Sequence, residues 1–166
     1  MTTPNFVIRD AQPKDVEAMH GLIIELAEYE KAVHEVESTA SDLHAHLFGP
    51  NPSVFANVVE ENGQVVGMAI WFLNYSTWQG KLGLYLEDLY VQQAHRGKGY
   101  GKALLEHLAG ICVERGYGRF QWWVLDWNQP SIDFYLSKGA IAMDEWTTYR
   151  VTGEALQKLG SAGAKN

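Results

Sequence analysis

The sequence predicts an α/β fold: a mixed central sheet with helices on both faces and a splayed, bulged central strand. Three observations predict it. Apolar residues recur with period two in some segments and with helical spacing in others. A strand, a glycine-rich loop and the start of a helix follow one another at 83–105. Within that strand the alternation changes parity, from Leu82, Leu84 and Leu86 to Leu89 and Val91. Strand side chains alternate between faces, so a parity change requires one extra residue, and a β-bulge is expected at Glu87-Asp88. Bulges interrupt pairing and re-aim side chains, often beside a functional site. Here both residues at the kink are carboxylates.

The chain has 166 residues, 46% of them hydrophobic, enough for one domain over 1–166 with a sizeable core and a frayed tail at 160–166. Phe6-Val7-Ile8 reads as a short strand, after which Pro13 opens a helix where its missing N–H costs nothing. Val16, Met19, Leu22, Ile23 and Leu26 share one face of that helix, which should end near Tyr29-Glu30. A second helix is expected from Thr39, with Asp42 placed to close a capping box. Strands follow at 53–59 and 64–73, joined by the turn Glu61-Asn62-Gly63. Residues 74–80 turn the chain into the central strand. The helix after the glycine loop carries Leu104, Leu105, Leu108, Ile111 and Cys112 on one stripe and stops at Gly116. A strand buried on both sides is expected at 120–125, then a helix from Pro130 to Lys138, a strand at 140–151 and a last helix from Thr152.

Composition limits the functions to consider. A formal charge of −7 and a pI near 5.3 weigh against a nucleic-acid partner and suit a cationic ligand, although many soluble proteins are as acidic. Cys112 is the only cysteine, which excludes an intrachain disulfide and a cysteine zinc cluster. His44 and His46 are two apart and do not share a helix face, so they read as surface histidines. No signal peptide or membrane-length apolar run is visible, so no membrane partner and a cytoplasmic location are expected.

The loop Arg96-Gly97-Lys98-Gly99-Tyr100-Gly101 opens a helix and lies among His95, Arg96, Lys98 and Lys102. Glycines let a ligand approach the backbone, and amides at a helix N-terminus attract anions. A phosphate-bearing ligand fits this arrangement. The P-loop and dinucleotide patterns both fail on spacing: Ala103 follows Lys102, and the third glycine comes one position early. The stretch instead resembles the GNAT superfamily of acyl-CoA-dependent N-acetyltransferases, whose Arg/Gln-x-x-Gly-x-Gly/Ala signature is matched by Arg96, Gly99 and Gly101. The predicted element order also agrees with that fold over nearly the whole chain. The resemblance implies acetyl-CoA as co-substrate and no metal. It places the coenzyme on Leu89, Tyr90, Val91, Arg96, Gly97, Lys98, Gly99, Tyr100, Gly101 and Lys102.

Acetylating an amine requires removal of a proton. An ammonium with a pKa near 10 costs about 4 kcal/mol to deprotonate at pH 7, whereas a thiolate leaving group costs about 2 kcal/mol. A placed carboxylate is therefore the larger need. Glu87 is the candidate to hold the ammonium and relay its proton, and Asp88 either shares that role or bonds backbone opened by the bulge. Residues 128–135 resemble the second GNAT motif. By that resemblance Asn128, Pro130 and Ser131 contact the pantetheine arm, and Tyr135 is the acid facing the thioester sulfur. The backbone amide near Tyr90-Val91 would polarise the thioester carbonyl.

Trp78, Gly80-Lys81-Leu82, Tyr85-Leu86-Glu87-Asp88 and Trp127-Asn128 with Pro130-Ser131 resemble the diamine branch, the spermidine/spermine and thialysine acetyltransferases. Glu25-Leu26-Ala27 with Tyr29-Glu30 matches as well, and implies that Tyr29 and Glu30 contact the amine substrate. Read without the resemblance, Glu25, Glu28, Glu30, Glu35 and Glu37 form a solvated acidic face. The resemblance further implies that Glu30 and Glu87 bind separated ammonium groups and that Trp122 or Trp123 lines the aliphatic part of the substrate. A homodimer is implied by the branch alone. The expected activity is acetyl transfer to a primary amine of a polyamine, diamine or lysine-like small molecule. The alternatives are acetylation of a protein N-terminus or lysine, and a non-catalytic acyl-CoA-binding domain.

Overall fold

The computed structural model describes residues 6–163. The chain forms two compact units, Met1–Trp123 and Val124–Asn166. The first holds β1 (Phe6–Asp10), α1 (Val16–Tyr29), α2 (Ala40–Phe48), β2 (Phe55–Glu61), β3 (Gln64–Ser76), β4 (Lys81–Val91), α3 (Tyr100–Arg115) and β5 (Phe120–Gln121). Single 3₁₀ turns lie at Pro13–Asp15, Val33–Glu35 and Gln93–His95. The second unit holds α4 (Gln129–Ser137) and α5 (Gly153–Gly163).

The sheet runs β1-β2-β3-β4-β5, antiparallel except for the parallel pair β4–β5 that α3 connects. Local chemistry sets the boundaries. Asn62 and Gly63, at φ +51° and +80°, make the two-residue turn that matches strand twist between β2 and β3. Thr39 and Asp42 close a reciprocal capping box on α2, with Thr39 N–H donating to Asp42 Oδ2 at 2.8 Å. Gly116, at φ +69°, ends α3 in the left-handed conformation.

Met19, Leu22 and Leu47 pack with Val58, Met68, Ile70 and Tyr90 on one face of the sheet. Side chains at Asn57 and Leu89, which alternate with those residues, turn the other way, toward α3. Asn57 Nδ2 lies 3.2 Å from His107 Nε2, and Leu89 lies beside Gly101. The bulge is where the parity change placed it. Asp88 pairs with Ile70 and Leu86 with Trp71, so Glu87 has no opposite residue. The extra residue turns Asp88 onto the α1–α2 face while Leu84, Leu86 and Leu89 stay on the α3 face.

Three expectations need correction. The strand expected at 120–125 is only Phe120–Gln121, paired with Leu84 and Tyr85. Trp123 and Leu125 are exposed, not buried on both sides. The strand expected at 140–151 is irregular, with Trp146 N–H donating to Met143 O at 3.1 Å in a turn. A strand exists only by pairing, and no strand is assigned among the described residues of this unit. The expected frayed tail begins too early: Gly160–Gly163 continue α5, and 164–166 lie outside the described residues.

Candidate active site

The bulge on β4 brings carboxylates together. Asp88 faces a cavity of about 480 Å³, lined on its apolar side by Ile23, Leu43, Val54 and Ile70 and on its polar side by Glu37, Asp42 and His46. Burial, then the charges of Glu87 and Glu30, push the Asp88 carboxyl up to about 6. Burial also raises Glu30. Glu87, the extra residue, is exposed. The sequence-predicted trio Glu30, Glu87 and Asp88 is therefore one electrostatic group. Glu37, Asp42 and His46 were not predicted as site residues. Asp42 was legible only as a cap, and Glu37 only as part of an acidic face.

Tyr29 sits beside this group in a stack of its own. The Arg96 guanidinium lies 5.2 Å from the Tyr29 ring centroid and 5.3 Å from that of Tyr90. Tyr90 OH donates to Glu25 Oε2 at 3.2 Å, and Gln92 Nε2 donates to Glu25 Oε1 at 3.0 Å, tying α1 to β4.

The end of β4 leads into the glycine loop. Gln92 N–H donates to Val66 O at 2.9 Å, so even-numbered amides here face β3. By alternation the Leu89 and Val91 amides point to the opposite edge, where β5 pairing has already ended at Tyr85. The expected amide donor near Tyr90-Val91 thus narrows to Leu89 and Val91. Arg96 Nε donates back to Val91 O at 3.0 Å and closes the loop.

Gly97 and Gly99 have φ of +78° and +85°, and a Cβ at either would meet nothing within 4 Å. Glycine is required there by conformation, and the space above the loop is open to a ligand. Ala103 N–H donates to Gly99 O at 2.9 Å as the first helical bond. The Tyr100, Gly101 and Lys102 amides precede it, so helix geometry offers them no acceptor.

The loop side chains are used otherwise than their charges suggest. Lys98 Nζ lies 2.8 Å from Glu61 Oε1, and Lys102 lies 3.6 Å from Glu106. Tyr100 is buried, with its hydroxyl donating to Glu61. Of the two loop residues expected at the coenzyme, Lys98 thus has its side chain paired with Glu61 and Tyr100 has its side chain in the core, so only their backbone faces the loop surface. Cys112 is buried, as its stripe required.

Trp122 stands edge-on to Phe120, 4.9 Å between centroids, and Trp123 is exposed. Neither lines the cavity beside Asp88. In the C-terminal unit, Asn128 is buried and caps α4, its Oδ1 accepting from Ser131 N–H at 3.4 Å. Pro130 occupies the first turn. Tyr135 lies one turn beyond Ser131, its ring 5.6 Å from that of Phe134.

Among the described residues no helix is long and apolar enough to cross a membrane. Residues 19–140 match the acetyltransferase (GNAT) family. The chain is 35% identical to a thialysine N-epsilon-acetyltransferase of Sus scrofa, over 92% of this chain and 96% of that one. It is 37% identical to spermidine/spermine N(1)-acetyltransferase-like protein 1 of Homo sapiens, over 91% of this chain and 23% of that one. An integron cassette protein from the mobile metagenome of V. cholerae superposes with a TM-score of 0.79 at 27% identity, covering 96% of this chain and 99% of that one. A glycine loop open above its backbone beside the end of β4 that β5 leaves unpaired, together with these matches, makes the chain a member of the acetyltransferase (GNAT) family.

Proposed function

We propose that this protein acetylates a primary amine of a small polyamine, diamine or lysine-like molecule such as thialysine, using acetyl-CoA. The observation that carries the reading is the carboxylate pair at the bulge: Glu87 exposed, Asp88 in a cavity with further acidic residues, pushed up to about 6. Such a cavity lowers the cost of admitting a second cationic group. The names of the relatives support the same substrate class. Acetyl-CoA fits the loop because the backbone over Gly97 and Gly99 is open and helix geometry leaves the following amides without an acceptor, as a phosphate requires.

The coenzyme supplies an acetyl thioester with a thiolate leaving group. Leu89 and Val91 N–H groups polarise the carbonyl as it gains negative charge. Arg96 to Lys102 hold the pyrophosphate through backbone amides. Asn128, Pro130 and Ser131 receive the pantetheine arm, and Tyr135 donates a proton to the departing sulfur. Tyr29, Glu30 and Asp88 bind the charged end of the amine, Trp122 or Trp123 flanks its aliphatic part outside the Asp88 cavity, and Glu87 takes its proton. Carboxylate and backbone dipoles meet these needs without a metal. We further assign a single catalytic domain over 1–166, a homodimer and a cytoplasmic location. The exposure of Ile141, Trp146 and Tyr149 favours the homodimer.

Glu87→Gln tests the reading. It keeps shape and loses charge and basicity, so amine binding should weaken and the rate should recover partly as rising pH supplies neutral amine. The measurement is kcat/KM for the best amine from about pH 6 to 10 in both enzymes. Wild-type efficiency with an unshifted profile near pH 7 would remove Glu87 as the proton acceptor.

A further inference from the structure

Glu61 closes β2, directly before the Asn62-Gly63 turn, yet it is only 7% exposed. A carboxylate at a hairpin end would ordinarily be solvated. Here three residues around the glycine loop converge on it. Lys98 Nζ lies 2.8 Å from Oε1, and Tyr100 OH donates to the same oxygen. His95 Nδ1 lies 2.5 Å from Oε2. Phe6 covers the Tyr100 ring at 4.7 Å between centroids. Lys98, then Tyr100, draw the Glu61 carboxyl down to about 2, while burial, then Glu61, push the Tyr100 phenol up to about 12. The carboxylate is thus charged and the phenol is a donor throughout the neutral range.

We propose that Glu61 is a positioning residue for the acyl-CoA site, holding the loop from 95 to 100 in its anion-binding shape from behind. The tethers bracket Arg96, Gly97 and Gly99, so the two left-handed glycines are held at both ends of the segment that must keep them. Glycine is the residue with most backbone freedom to lose, and a loop containing two of them needs an external constraint to stay ordered. Glu61 supplies it through side chains, leaving the loop amides free to face phosphate. It also accounts for a lysine in the loop whose charge turns inward. The inference rests on the acyl-CoA reading above, and concerns the phosphate end of that ligand only.

That restriction makes the test selective. Glu61→Gln keeps the size and an acceptor for Tyr100 but loses the charge that holds Lys98. S-acetylpantetheine has the same thioester and arm as acetyl-CoA but lacks the pyrophosphate. With Glu61→Gln, KM for acetyl-CoA should rise about tenfold, while kcat/KM for S-acetylpantetheine stays within about twofold of wild type. An equal loss with both donors would mean a general structural role and would overturn the proposal, as would an unchanged KM for acetyl-CoA. Should Glu61→Gln fail to fold, Tyr100→Phe keeps the ring against Phe6 and removes one tether. The same donor-selective loss is then expected, and its absence overturns the proposal. Wild type that fails to bind acetyl-CoA in calorimetry would instead remove the acyl-CoA reading, and this inference with it.

Discussion

Replacing Asp88 with Asn should make the protein more stable at neutral pH and a poorer enzyme. Asp88 is held in a cavity beside Glu87 and Glu30, and its carboxyl is pushed from an ordinary 3.8 to about 6. A raised carboxyl pKa means that the folded state disfavours the charge. The associated stability is present below about pH 4, where both states are protonated, and is lost as pH rises through about 6. The difference of roughly two units corresponds to about 3 kcal/mol at pH 7, at 1.36 kcal/mol per unit. Asn has the same shape and no charge, so Asp88→Asn should recover up to about 3 kcal/mol at pH 7 and almost nothing at pH 4. Urea denaturation of both proteins across that range measures it, and KM for the amine should rise in the variant. A variant less stable than wild type at pH 7, or a gain independent of pH, would refute the reasoning and make Asp88 a structural partner of the bulge backbone.

The coenzyme site makes two further predictions. Gly99→Glu should abolish acetyl-CoA binding, because φ of +85° disfavours any side chain and the carboxylate would repel phosphate. Unchanged affinity by calorimetry in a folded variant would dismiss the loop as the phosphate site. Tyr135→Phe should lower kcat more than it changes KM for acetyl-CoA, on the order of 10²-fold. Turnover within about threefold of wild type, with chemistry rate-limiting, would make Tyr135 a packing residue.

Features fixed by local chemistry were legible in the sequence. The parity change at Glu87-Asp88 depended only on strand period, and the structure has the bulge there. The Thr39–Asp42 box and the Asn62-Gly63 turn were equally local. What failed depended on partners distant in sequence. A last strand was expected at 140–151, but a sequence segment cannot supply the neighbour that a ladder needs. β5 is only Phe120–Gln121, paired with Leu84 and Tyr85 just before the bulge, and nothing local to 120–125 marks that end. Glu61 read as a turn residue, because its burial arises from Phe6, His95, Lys98 and Tyr100 closing over it. Lys98 read only as positive charge beside the glycines for the same reason: its charge was visible and its partner Glu61 was not.

The central claim is acetyl transfer to a small amine, and thiol release from acetyl-CoA by the wild-type enzyme tests it most directly. Spermidine, putrescine, thialysine, lysine and a peptide with a free N-terminus would be compared at equal concentration. Release is expected with at least one of the small amines at a kcat/KM about tenfold or more above that for the peptide. Release with the peptide alone, or with none of the five, would contradict it.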